Sequence, residues 1–147
     1  MTPRRIDRRF LFGLAASLAL VSCAPAPPAG LEASEAWTRP ADVGGTSAVY
    51  LSLTNNTETP DRLLGADSSA AAVVEIHETM VEGDMAHMMP VDSIDLPPGE
   101  KVILDPGGFH LMLVGVTQAL APGDRVSLTL HFERAGEVML EAEVRAP

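Results

Sequence analysis

From residue 125 to 132 the chain alternates strictly: Val126, Leu128, Leu130 and Phe132 are apolar, and Arg125, Ser127, Thr129 and His131 between them are polar. A period of two puts the two sets on opposite faces of a strand, so this segment predicts a half-buried β-strand. Residues 137–145 repeat the pattern with Val138, Leu140, Ala142 and Val144 inward, and Glu133-Arg134-Ala135-Gly136 reads as the hairpin connection between them. Upstream, residues 48–54 set Val49, Leu51 and Leu53 on one face ahead of an Asn55-Asn56 turn, and shorter strands are expected at 62–66, 73–80, 101–104 and 110–116. Turn signals recur at Pro97-Pro98-Gly99, Pro106-Gly107-Gly108 and Pro122-Gly123-Asp124, and no segment sustains a helical period. The pattern predicts an all-β domain, either a β-sandwich or a Greek-key barrel.

The first 30 or so residues break this pattern. Arg4, Arg5, Arg8 and Arg9 precede an uncharged, mostly apolar run over 10–22, which is 13 residues long. A helix needs roughly 20 to span a bilayer, so the run reads as the apolar part of a secretion signal. Arg8-Arg9 ahead of Phe10-Leu11-Phe12 resembles a twin-arginine signal, with Asp7 where Ser or Thr is usual. Leu20-Val21-Ser22-Cys23 resembles a bacterial lipobox, which makes Cys23 the expected lipidated first residue of the mature chain. Residues 24–33 are rich in Pro and Ala without apolar periodicity, as in a semi-stiff tether. The expected organisation is therefore a lipoprotein-type signal peptide over 1–22, a tether over 23–33 and a β domain over 34–147. Its place is the periplasmic side of a bacterial membrane, held there by the lipid at Cys23 alone.

Twenty acidic residues against ten basic give a net charge of −10, and four of the ten arginines and lysines sit in the signal. Such a surface repels nucleic acid and anionic headgroups. Cys23 is the single cysteine, so the domain forms no internal disulfide. It also lacks the thiolate that a blue-copper electron-transfer site requires. No Ser-His-Asp motif and no HExxH is present, and no carboxylate neighbours His110 or Met112 in sequence, so nothing marks an enzyme.

Four histidines and seven methionines remain to be explained. Met80, Met85, His87, Met88 and Met89 crowd one stretch, and Gly83, Asp84 and Pro90 mark 82–90 as an exposed loop where thioethers have little core to fill. His110 and Met112 are two apart in a strand and share a face, opposite Leu111 and Leu113. His77 can add a third ligand from a neighbouring strand, and the loop a fourth. Thioether sulfur suits Cu(I) and imidazole tolerates it, whereas Zn(II), Mg(II) and Ca(II) favour thiolate or oxygen. Two Met with two His thus point to Cu(I). His87 and Met89 are spare ligands or bystanders, Trp37 and Phe109 are expected to pack, Phe109 with the further option of shielding the site, and His131 on the wet face of its strand has no assigned role.

The spacing His77, ten residues, Met88, twenty-one residues, His110, one residue, Met112 resembles the motif of the periplasmic copper(I) chaperone family, PCuAC. The likeness extends over AVYLSLTNN, DRLLGA, EIHETM and PGGFHLMLVG. It implies a cupredoxin-like Greek-key β-sandwich or barrel that holds one Cu(I) with His77, Met88, His110 and Met112. It also implies delivery to a copper-acceptor protein, either an oxidase subunit at the copper centre of a respiratory oxidase or another copper chaperone. Glu78 departs from the many relatives that carry Met directly after the first histidine. The competing reading, a structural or adhesive β-sandwich lipoprotein without metal function, leaves the spaced His/Met set to coincidence.

Overall fold

The computed structural model describes residues 30–146. The signal peptide, Cys23 and nearly all of the expected tether lie outside them. Ten strands follow one another: β1 (Leu31–Thr38), β2 (Thr46–Asn55), β3 (Asp61–Asp67), β4 (Ala71–Glu82), β5 (Met85–Pro90), β6 (Ile94–Leu96), β7 (Lys101–Leu104), β8 (Phe109–Val116), β9 (Arg125–Phe132) and β10 (Gly136–Val144). They form one sheet in the order β5-β4-β8-β2-β1-β10-β9-β3-β6, with β7 pairing β2 beyond the end of β8. All pairs are antiparallel except β1 with β10. Among the described residues no helix is long and apolar enough to cross a membrane.

The strand alternation read from the sequence sets the core. Val126, Leu128, Leu130 and Phe132 of β9 are buried while Arg125 and Ser127 are exposed. They meet Val49, Leu51 and Leu53 of β2, Leu63 of β3, Leu104 of β7, and Leu111 and Leu113 of β8 in one apolar cluster. Two buried polar groups are tied into turns. Asn55 donates from Nδ2 to the carbonyls of Thr59 and Leu96, at 2.8 and 3.0 Å. The Asp61 carboxylate accepts from the backbone N–H groups of Arg62, Arg134 and Ala135 at 2.7, 2.9 and 2.9 Å, which pins the β9–β10 hairpin to β3.

Three expectations change. The first strand begins at Leu31, inside the stretch assigned to the tether, where Leu31 and Ala33 pair with Asn55 and Leu53 and pack against the core. The short strand β6 was not anticipated; it buries Ile94 and Leu96 and turns Asp95 outward. Most consequential, 82–90 is not a loop: residues 85–90 form β5, antiparallel to β4 and joined to it through Gly83 and Asp84. Gly83 has φ 64° and Asp84 is not left-handed, the arrangement of a two-residue II′ turn, whose twist suits a hairpin.

Candidate metal centre

β5, β4 and β8 lie side by side, and their register determines which side chains meet. His77 stands directly opposite His110 and Glu75 opposite Met112. On the other flank of β4, Thr79 stands opposite Met88. Directly opposed residues share a face of a sheet, as do residues two apart on one strand. His77, Met88, His110 and Met112 therefore all project from one face, together with Glu75 and Thr79. The other face of β8 carries Leu111 and Leu113 into the core.

The four come close as well as pointing alike. The imidazole rings of His77 and His110 are 5.8 Å apart between centroids, inclined at 61°. Met88, His110 and Met112 line one cleft of about 370 Å³ with Tyr50, Arg39 and Pro106. His110 is 2% exposed, whereas Met88, on the edge strand, is 61% exposed.

Each histidine has one nitrogen occupied and one left over. His110 Nδ1 lies 3.3 Å from the Gly108 carbonyl, which can only accept, so Nδ1 carries the proton and Nε2 presents its lone pair. His77 Nε2 lies 2.9 Å from Glu75 Oε2, so there Nε2 donates, and in the neutral ring Nδ1 presents the lone pair. His110 Nε2 and His77 Nδ1 are both buried without a hydrogen-bond partner. Leaving a buried polar atom unpaired costs about 1–3 kcal/mol, so two of them on one face require an explanation outside the fold. Burial pushes the His110 imidazole below its ordinary pKa. The Gly108 hydrogen bond works against this, and the charges of His77 and Arg39 reinforce it. The ring is thus neutral near pH 7, with its lone pair available.

An aromatic layer backs His110. Tyr50, 5% exposed, has its ring 6.2 Å from that of His110 and 4.6 Å from that of Trp37, and the Arg39 guanidinium lies 5.6 Å from the Tyr50 centroid. Trp37 packs as expected, aimed at Tyr50 by a bulge in β1 where the register shifts between Ser34 and Trp37 and Glu35 adopts φ 56°. Phe109 faces away from the site with Leu111 and packs against the core, so packing is its role and shielding is not. His87 and Met89 stand opposite Met80 and Glu78, which puts them on the far face of the hairpin from Met88. They are not spare ligands of this group. His131 sits on β9 against Asp67 and Glu137, at 2.7 and 3.5 Å.

Sequence reasoning did not single out Tyr50 or the pairing of Glu75 with His77. Tyr50 sits at an outward position between Val49 and Leu51, where an aromatic is the signal of a second packed layer. Among the described residues no three His, Cys, Asp or Glu side chains are grouped to hold a metal ion, whereas His77 and His110 share their face with the thioethers of Met88 and Met112.

A model of the LpqE-like family matches residues 31–144. The Leifsonia xyli protein named "Putative lipoprotein Lxx21020" is 35% identical over 104 residues, 70% of this chain and 62% of that relative. The Rickettsia prowazekii protein RP573 is 29% identical over 113 residues, 74% and 62% of the two chains. The chain thus spans 62% of the length of these curated relatives. Among solved structures, the copper-bound PCuAC domain from PmoF2 is 32% identical with a TM-score of 0.67, over 80% of this chain and 93% of that one. The Cu(I) form of DR1885 from Deinococcus radiodurans is 28% identical with a TM-score of 0.60, over 86% and 85%. The ten strands therefore build the cupredoxin-like β fold of those domains. The chain belongs to the LpqE-like family, of PCuAC type.

Proposed function

We propose that this domain is a copper(I) chaperone that binds one Cu(I) through His77 Nδ1, Met88, His110 Nε2 and Met112 and hands it to an extracytoplasmic acceptor. The observation that carries the reading is the pair of buried, unpartnered imidazole nitrogens on the face that also bears two thioethers. A soft monovalent ion satisfies both nitrogens at once. Two imidazoles and two thioethers bring no charge to offset a second positive charge, so the set favours Cu(I) over Cu(II). The copper named in the two solved relatives supports the same metal. A blue-copper centre would need a thiolate, and residues 30–146 contain no cysteine.

Transfer rather than storage or catalysis fits the exposure of Met88 and the open cleft beside it, where an incoming donor can replace one ligand at a time. The acceptor we favour is the copper centre of a respiratory oxidase subunit, or a second copper chaperone that feeds it. The lipoprotein character of the family supports export and anchoring at Cys23 on the periplasmic side of the membrane.

The test is anaerobic competition with a chromophoric Cu(I) chelator, on the wild type and on His110→Ala and Met112→Ala. Each substitution should weaken binding at least tenfold, and the loaded protein should be colourless. Unchanged affinity in both variants, or an intense visible band, would dismiss the assignment in favour of a structural lipoprotein or an electron carrier.

A further inference from the structure

The two faces of the β4–β5 ribbon carry different chemistry. One bears His77, Thr79 and Met88. On the other, Glu82 opposes Met85, Met80 opposes His87, and Glu78 opposes Met89. Three thioethers and an imidazole thus share one side of two strands, between two carboxylates. Packing does not account for them. The ribbon runs past the core, Met80, Met85 and Met89 are 52%, 63% and 52% exposed, and none of the three joins the core cluster or the side chains packed on it. A thioether with more than half of its surface in water gains little from burial, and a lysine or threonine would serve an exposed strand better.

We propose that this face, which continues the core-facing side of β4 (Ile76, Glu78) outward past the end of the core, binds a second Cu(I) ion, through the Met80 thioether and the His87 imidazole directly opposed across the strands and the Met89 thioether beside them. Directly opposed Cβ atoms lie about 5 Å apart and same-face neighbours along a strand about 7 Å, distances that long, flexible Met side chains close onto one ion. The donors are soft and uncharged, which selects Cu(I) over divalent cations. Glu78 and Glu82 on the same face raise the local cation concentration without supplying a ligand Cu(I) prefers. Met85, on the other side of His87, is an alternative thioether. This site shares no ligand with the inner group and stands without it.

The experiment titrates the full chain with Cu(I) under anaerobic chelator competition and counts equivalents in the wild type, Met80→Leu/His87→Gln and His110→Ala/Met112→Ala. In parallel, the methionine methyl NMR signals are followed as Ag(I) is added. Met80 and His87 are both exposed, so the first variant should melt with the wild type. The expected result is two equivalents in the wild type and one in each variant, with the Met80 and Met89 methyls shifting in His110→Ala/Met112→Ala. A second equivalent that survives Met80→Leu/His87→Gln overturns the outer site, as does a single equivalent lost only with His110 and Met112. A single equivalent lost only with Met80 and His87 supports the outer site and removes the inner one.

Discussion

Replacing His110 with leucine should make the metal-free domain more stable while destroying its proposed Cu(I) site. The wild-type ring is 2% exposed and its Nε2 has no partner, which costs about 1–3 kcal/mol in the absence of metal. Leucine removes that atom and fills a similar volume. The loss is one long hydrogen bond, Nδ1 to the Gly108 carbonyl at 3.3 Å, at the low end of about 0.5–1.5 kcal/mol. No new orphan appears, because the Gly108 carbonyl still accepts the Thr79 N–H at 3.0 Å. The balance favours the variant by about 1 kcal/mol, which for a domain of this size raises Tm by roughly 3–5 °C. Thermal and urea unfolding of both proteins, with and without Cu(I) under reductant, reads the effect. Cu(I) should stabilise the wild type in proportion to its binding and leave the variant's Tm nearly unmoved. A metal-free His110→Leu domain that loses more than about 1 kcal/mol would mean that Nε2 is satisfied in the apo fold, and the argument from unpaired nitrogens would fail.

The Asp61 carboxyl would be raised by burial, but the backbone N–H groups of Arg134, Arg62 and Ala135 bring it below its ordinary value. The group therefore contributes its stability above the unfolded pKa near 3.9 and loses it as pH falls through the lower folded value, so Asp61→Asn should cost about 1–3 kcal/mol at pH 7 and progressively less below about pH 4. Denaturant unfolding at a series of pH values checks it, and a gap between the two proteins that widens in acid would reverse the sign. Cys23→Ser should move the protein from the membrane to the soluble fraction; wild-type protein found soluble and cleaved beyond Cys23 would rule out the anchor.

The strands that build the core were legible because they are amphipathic with period two, as β9 and β10 illustrate. β5 was not, since its six residues, Met-Ala-His-Met-Met-Pro, offer no apolar-polar alternation and lie wholly exposed. The ligand spacing was legible without the strand, but the sorting of its methionines was not. Which thioether faces which side follows from the two-residue Gly83-Asp84 turn, and one residue more or less would exchange Met88 for Met89 on the inner face. The burial of His110 also lay beyond local reading, because β4 and β2, which flank β8, are both separated from it in the chain by several other strands. Tyr50 was obscured for the same reason, since its place behind His110 exists only once those three strands stand together, whereas the Glu75–His77 pair is local, two residues apart on one strand.

β5 is bonded to β4 alone, whereas β4 and β8 are each bonded on both sides. The ligands proposed for the inner ion are therefore unequal in time. His77, His110 and Met112 ride on strands that open only with the sheet, while Met88 rides on one that can fray by itself at a small fraction of the global unfolding free energy. If those four are the ligands, fraying would remove one thioether and leave the other three in place, with a position open to solvent for an acceptor's donor. The lifetime of the bound ion then belongs to one edge strand rather than to the fold, so release can be fast in a domain that is itself slow to unfold.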